Sequence, residues 1–458
     1  NESSDGLGVG AYFADGTNVM LLGKVVVRDN LVKGLTNNVY LSGDQTVALS
    51  SSSGAKLGEG SFVGLTTSMT PSSGNDILFA TGAGEEMKNY FFHDRNKYGV
   101  KHDNANLYLS VDAELFAGYS DLYFKDSVFY SSPSLNDDSA VATKLTSAFD
   151  LLASQGTIHM FSMYEAPDYE IVEASSKNIK VVRESNFKTE SMVKISGGIF
   201  TLDATDENSS VTFDGNKIVI AELVNGELSS DSSVFSGGAF KVLGDATQFT
   251  LKGAEGKNNI SIVNNWLMDK RILINEMSGD GTQSLSSGIE SKGVEAQNGS
   301  AQAYYADGED DRNDMKDVCC GGGIFILSDG GATTTLENCA INDNAGVYVG
   351  GGVCDLSHDD TLIIKNCSLD GNASMMLGGN IVAYGRTVAE FTNCSISNGI
   401  GGLAGCGAIY MINEKSNANI SNCSFKSNTG GISSGAFGSA GTANISDSEF
   451  IGNFIYHL

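Results

Sequence analysis

The last third of the chain repeats itself every 27 to 29 residues. Cys339, Cys367, Cys394 and Cys423 mark the period at intervals of 28, 27 and 29 residues. Each of these cysteines follows an apolar residue, a variable position and Asn, as in Leu336-Glu337-Asn338-Cys339 and Ile420-Ser421-Asn422-Cys423. Two residues after the Cys comes an apolar residue, usually with Asn three positions beyond it: Ile341…Asn344, Leu369…Asn372, Phe425…Asn428, and a further Phe450…Asn453. Small residues then lead into an apolar run, as in Gly351-Gly352-Val353, Gly378-Gly379-Asn380-Ile381, Gly407-Ala408-Ile409-Tyr410 and Gly435-Ala436-Phe437. A fixed period of this length built on strand-like segments means stacked coils.

The units hold short alternating runs (Thr361 to Ile364, Ile409 to Ile412) separated by Gly, Asn and Ser, residues that accept tight turns. A single unit cannot bury its apolar face, but coils stacked at strand spacing share one core, which predicts a parallel β-helix. In such a stack Cys339, Cys367, Cys394 and Cys423 form one column. Asn344, Asn372, Asn428 and Asn453 form another, with side-chain amides that can bond along the stack.

The same spacing occurs near the N-terminus. Gly10-Ala11-Tyr12-Phe13 leads through Val25-Val26-Val27 to Asn30, 20 residues after Gly10; Gly352 and Asn372 are also 20 residues apart. The chain therefore reads as opening and closing inside coil stacks, and an apolar coil left uncovered is adhesive. This predicts head-to-tail association through Gly10, Ala11, Tyr12, Phe13 and Asn30 at one end and Phe450, Asn453, Phe454 and Tyr456 at the other, or excision from a longer tandem array.

Composition fits a solenoid. Among 458 residues there are 56 Gly and 3 Pro, which favours many tight turns over disordered linkers. A net charge of −27 makes nucleic acid and anionic membrane poor partners and suits a solvated extracellular surface. No apolar run is long enough to span a bilayer, and no signal peptide opens the chain. All eight Cys lie between Cys319 and Cys423. Equivalent positions on neighbouring coils are within disulfide reach, yet small buried thiols pack well in such a column and are the expected state.

Along the chain, residues 1–42 read as coil material and 43–130 as irregular strands closing that stack. Residues 131–156 read as a linker and a short capping helix, 157–278 as the first coils of a second stack, 279–317 as a polar insertion and 318–458 as regular coils. Leu145, Ala148, Phe149 and Leu152 keep helical spacing; Asp137, Asp138 or Ser139 is placed to cap the start and Gly156 to end it.

These motifs resemble the polymorphic-membrane-protein repeat of large bacterial surface proteins, with its GGA[IVF] and FxxN turns. They stand here as Gly197-Gly198-Ile199-Phe200, Gly237-Gly238-Ala239-Phe240, Phe213…Asn216, Phe425…Asn428 and Phe450…Asn453. The resemblance covers about two thirds of the chain and implies a right-handed β-helix on a cell surface, with adhesive or structural roles. No segment resembles an autotransporter barrel.

Because many β-helices act on polysaccharides, catalytic chemistry is weighed too. Lyase chemistry needs a base beside a cation, and His358-Asp359-Asp360 with Lys365 and Arg386 is the nearest candidate; a polar turn explains it more simply. The run containing Asp307, Glu309, Asp310, Asp311 and Asp314 offers carboxylates for Ca²⁺, without EF-hand or nonapeptide spacing, and reads first as a solvated loop. No cofactor motif is present, and the Cys and His spacing is not that of a metal site. Of the Asn-x-Ser sequons, Asn208 and Asn298 are placed for glycosylation, whereas those inside Asn-Cys-Ser units read as structural. The expected protein is thus an all-β, right-handed parallel β-helix of the extracellular surface that self-associates into a fibre. The alternatives are a monomeric adhesin module binding a host surface or glycan, and a polysaccharide lyase or hydrolase.

Overall fold

The computed structural model describes residues 2–3, 10–32, 35–50, 56–58, 61–94, 98–113, 118–136, 139–188, 190–220, 223–224, 227–228, 237–267, 269–270, 321–347, 349–375, 377–402, 405–431 and 433–455. The chain forms two compact units, residues 1–158 with 169–179, and residues 159–168 with 180–458.

The larger unit is a parallel β-helix. Its first face stacks Tyr164–Glu165, Val193–Ser196, Phe240–Leu243, Ile324–Leu327, Val353–Asp355, Ile381–Ala383, Ile409–Met411 and Phe437–Ser439. The second face runs from Ile199–Ala204 to Thr442–Ser446 and the third from Ser210–Asp214 to Glu449–Ile451. The pairing is in register. Ile324, Val353, Ile381, Ile409 and Phe437 form one apolar column, and Ile341, Leu369, Ile396, Phe425 and Phe450 another. Phe240 pairs directly with Ile324, in register with the rest of the face.

Each later coil adds a fourth, two-residue strand: Ala373–Ser374, Ile400–Gly401, Thr429–Gly430 and Phe454–Ile455. This strand explains the repeated glycines. A Cβ on Gly379 would lie 2.3 Å from the backbone nitrogen of Ile400, so no side chain fits where the next fourth strand passes. Outside the first face lies a second apolar layer. There Trp266, Phe325, Val382 and Tyr410 are buried with Val349 and Leu377. Strands covered on both faces read as unbroken apolar runs, which is why Ile409-Tyr410-Met411 shows no alternation.

The smaller unit also stacks coils. Ala11–Phe13, Val39–Leu41, Phe62–Thr67 and Phe91–His93 pair in parallel, and so do Val19–Met20, Val47–Ala48 and Ile77–Thr81. Coil stacking here therefore runs past residue 42 to residue 93, further than the sequence period indicates. The antiparallel pair Gly99–Asp103 and Asn106–Ser110 then borders Ile77–Thr81. The Ser131–Ala140 stretch is a hairpin loop, not a linker: Phe129 pairs with Ala142 and Tyr130 with Ala140 in antiparallel strands.

The expected helix forms over Leu145–Leu151, and all its residues but Asp150 are buried. Its ends differ from the sequence reading. Lys144 precedes it without a side-chain cap, and Gly156 lies inside the strand Leu152–Met160. The capping oxygen comes from far along the chain. Buried Glu170 accepts the backbone N–H and the hydroxyl of Thr146, both at 3.0 Å. Asp137 and Asp138 lie outside the described residues.

Candidate functional site

Two side-chain columns hold the coils in register, and their ends define the candidate site. Every coil turns twice through left-handed backbone. Asn338, Asn366, Asn393, Asn422 and Asp447 take φ between 48° and 55°, a region Asn and Asp tolerate well, and the next residue points into the stack. That next residue is Cys339, Cys367, Cys394 or Cys423, and Ser448 in the last coil. The backbone N–H of Cys339 meets the Sγ of Cys367, that of Cys394 meets the Sγ of Cys423, and that of Cys423 donates to the hydroxyl of Ser448. The six described cysteines are buried, reduced thiols. Burial pushes the Cys339 thiol well up and that of Cys406 up to about 12. Cys319 and Cys320 lie outside the described residues.

The asparagine column is a directional hydrogen-bond ladder. Asn265 donates its backbone N–H and Nδ2–H to Oδ1 of Asn344, which donates in the same way to Asn372. Asn428 gives both donors to Oδ1 of Asn453 at 3.0 and 2.9 Å. A second Nδ2–H of Asn344, Asn428 and Asn453 reaches back to a carbonyl of the preceding coil. The amide-to-amide bonds thus all run toward later coils. At the head of the series, Asn265 Oδ1 is buried with no hydrogen-bond partner among the described residues.

One coil has Gly399 where the others have Asn. The missing amide comes from Asn380, which stands where the other coils have Gly or Ala. Asn372 Nδ2 donates to Asn380 Oδ1 at 2.7 Å, and Asn380 Nδ2 donates onward to Asn428 Oδ1 at 3.3 Å. A Cβ on Gly399 would lie 2.2 Å from Asn380 Nδ2, so the two exceptions require each other. The sequence signal was present: one unit lacks its Asn, and one small-residue cluster has gained one.

The same crossover occurs in the smaller unit. Asn30 donates its N–H and Nδ2–H to Asn38 Oδ1, eight residues on, as Asn380 is eight residues from Asn372. Asn38 donates to both carboxylate oxygens of Asp94, at 2.9 and 2.6 Å. Gly10 matches Gly352: a Cβ on either would meet the carbonyl oxygen of Asn38 or of Asn380 at 2.4 or 2.6 Å. Asp29, at φ 58°, takes the corner that Gly371 takes at 64°. Residues 10–38 and 352–380 are therefore one design at two places in the chain.

The outer coils of the two units are apolar and exposed. All four sheets of the larger unit end in the coil that holds Phe437–Ser439, Thr442–Ser446, Glu449–Ile451 and Phe454–Ile455. There Ile445, Phe450, Phe454 and Ile455 are 44% to 57% exposed, although the partners of Ile445 and Phe450 in the preceding coil, Ile420 and Phe425, are buried in the core. In the smaller unit Ala11–Phe13 and Val19–Met20 are edge strands, and Tyr12, Met20, Leu22 and Val26 are 43% to 60% exposed. Of the residues expected at the ends, Phe450 and Phe454 lie on the open coil and Tyr12 on the open edge. Gly10 is exposed, Ala11 and Phe13 are half-buried, and Asn453 is half-buried with its acceptor in use. Asn30 is buried and bonded within its own unit. Tyr456 lies outside the described residues.

The candidate catalytic residues do not converge. Asp359 pairs with Arg386 at 2.5 Å, one coil apart, and Lys365 lies 4.0 Å from Glu390 on the second face. Buried Asp360 accepts the N–H of Ala332 and the hydroxyl of Ser328, which makes it a turn residue. Nearby, Asp355 is fully buried and bonded by the N–H of Ser357; burial pushes its carboxyl up to about 6. The Asp307–Asp314 run and Asn298 lie outside the described residues, while Asn208 is exposed on a turn. Among the described residues no three of His, Cys, Asp and Glu gather to hold a metal ion, and no helix is long and apolar enough to cross a membrane. Comparison with protein-family profiles, with curated proteins and with solved structures finds no match to this chain.

Proposed function

We propose that this protein is an extracellular structural component that self-associates head to tail through its open coil faces and so builds a fibre. The observation that carries this reading is the last described coil, where four strand edges and five large apolar side chains, Ile445, Phe450, Ile451, Phe454 and Ile455, meet solvent together. Strand edges with unused N–H and C=O groups recruit further strands, and exposed apolar area adds roughly 25 cal/mol for each Å² it loses to a partner. A coil of the same kind supplies both. The smaller unit carries such a coil with its own edge open. The −27 charge suits an extracellular surface, as does the likeness of the repeats to bacterial surface proteins.

Negative-stain electron microscopy of the purified chain tests the reading, with the Phe450→Asp/Phe454→Asp variant beside it. Fibres are expected from the native chain and lost in the variant, at unchanged circular dichroism. Single particles from both samples, at every concentration up to the solubility limit, would overturn it.

A further inference from the structure

The hydrogen-bond ladder has a polarity, and that polarity fixes how two copies meet. Asn344 and Asn428 each use Nδ2 twice, once toward the preceding coil and once toward the next Asn Oδ1. Among the described residues Asn453 makes only the backward bond, to the carbonyl of Phe425. Its onward donors meet no acceptor among the described residues. Asn30 is the complementary rung: its N–H and Nδ2–H donate, to Asn38 Oδ1 and to the carbonyl of Arg28, while its own carbonyl accepts from Asn37. The 10–38 and 352–380 segments share one geometry, so Asn30 presents its Oδ1 where a coil after Asn453 would place it.

Resting on the head-to-tail reading above, we infer that the join is an in-register coil step. In it Asn453 of one copy donates to Asn30 of the next, and Phe437–Ser439 lies beside Ala11–Phe13. The alignment that puts Asn30 after Asn453 also puts Val25 after Ser448, in line with the Cys column, and Leu31–Val32 after Phe454–Ile455.

The last correspondence gives the join a gate. Leu31–Val32 is already flanked on both sides, by Leu35–Thr36 of its own hairpin and by Glu2–Ser3 in parallel. Phe454–Ile455 can dock only by taking the place of Glu2–Ser3. Phe454 and Ile455 are 57% and 48% exposed beforehand and lose that exposure in the exchange, so it runs toward assembly.

Three variants of the full chain test this. Val25→Cys with Ser448→Cys places thiols at neighbouring positions across the join, about 4.8 Å apart between strands, where mild oxidation closes a disulfide. A ladder of covalent oligomers on non-reducing gels is expected from the double variant and from neither single one. Fibres that form without that ladder would overturn the register and leave self-association standing; absence of fibres from the native chain would remove both. Asn453→Asp keeps the acceptor that Asn428 uses and deletes the Nδ2 donor with its bond to the carbonyl of Phe425, leaving only the backbone N–H to face the next copy, and is expected to slow growth sharply without loss of fold. Growth at the native rate would contradict the ladder join. Removal of residues 1–9 is expected to raise the assembly rate several-fold, and a rate unchanged or lowered would refute the displacement.

Discussion

In the regular stack, Asn265, Asn344, Asn372, Asn428 and Asn453 carry one hydrogen-bond direction from coil to coil; in the smaller unit the series runs Asn30, Asn38, Asp94 and stops. The difference lies in the last residue. An amide gives and receives and so can be followed by another rung, whereas a carboxylate only receives. Asp94 takes both donors of Asn38 and the hydroxyl of Thr66, and has nothing to hand on. The parallel coils of that unit end at the same place, with Phe91–His93. One atom's change, nitrogen for oxygen, separates a ladder that ends from one that continues.

The two crossover residues give the largest test of that comparison. Asn38→Ala strands two donors of buried Asn30 and removes the side-chain donor from a buried carboxylate, which keeps the backbone N–H of residue 38. It is expected to cost about 4 kcal/mol in urea unfolding, against about 2 for Asn380→Ala, which strands neutral groups only. Equal losses would mean that the two crossovers are not governed by the charge at their ends. The exchange of end groups is the next test. Asn428→Asp turns two donors into acceptors facing Ile396 O and Asn453 Oδ1, and is expected to cost about 3 kcal/mol. Asp94→Asn puts a donor where the carboxylate accepts from Asn38 or Thr66 and is expected to cost about 2 kcal/mol. If either exchange is neutral, amide and carboxylate are interchangeable in these columns and the terminator reading is wrong.

Asp355 sharpens the contrast from another side, as a buried carboxylate outside any ladder. Its carboxyl is raised to about 6 by burial, with Asp360 adding to the rise. A folded value above the unfolded one means that the folded state holds its proton more readily. Its contribution is therefore complete below the ordinary carboxylate range and is lost as pH rises through about 6. From this group alone the larger unit is expected to be about 2 kcal/mol more stable at pH 4 than at pH 8, and Asp355→Asn to flatten that dependence. Thermal melts across pH give the result; a native slope kept in the variant would assign it elsewhere. The smallest effect is expected at the cysteines. Ser448 already fills the column in the last coil, so Cys423→Ser should change stability by less than about 1 kcal/mol at unchanged assembly.

The regular coils were legible in the sequence because stacking in register demands like residues at like positions: Cys339, Cys367 and Cys394 repeat the same inward turn. The Asn380–Gly399 exchange was not, since the amide arrives from another corner of the coil and leaves the period broken at both places. The coils over residues 39–93 were hidden for a related reason. Their first face steps by 28, 26 and 28 residues, but Val47 pairs with Ala80 across 33. Local rules also failed at the helix, where Glu170 rather than a neighbour supplies the cap. Tyr12, Phe450 and Phe454 stand out in the sequence and are exposed on edge strands, but the polarity of the ladder is visible only in which atom donates.

The central claim is that one copy continues another's stack, and a cryo-electron microscopy reconstruction of the fibre at strand-resolving detail tests it most directly. The account predicts Phe437–Ser439 of one copy beside Ala11–Phe13 of the next, parallel and about 4.8 Å apart, with Asn453 over Asn30. Copies joined through the sides of their β-helices, or through two like ends, would contradict it.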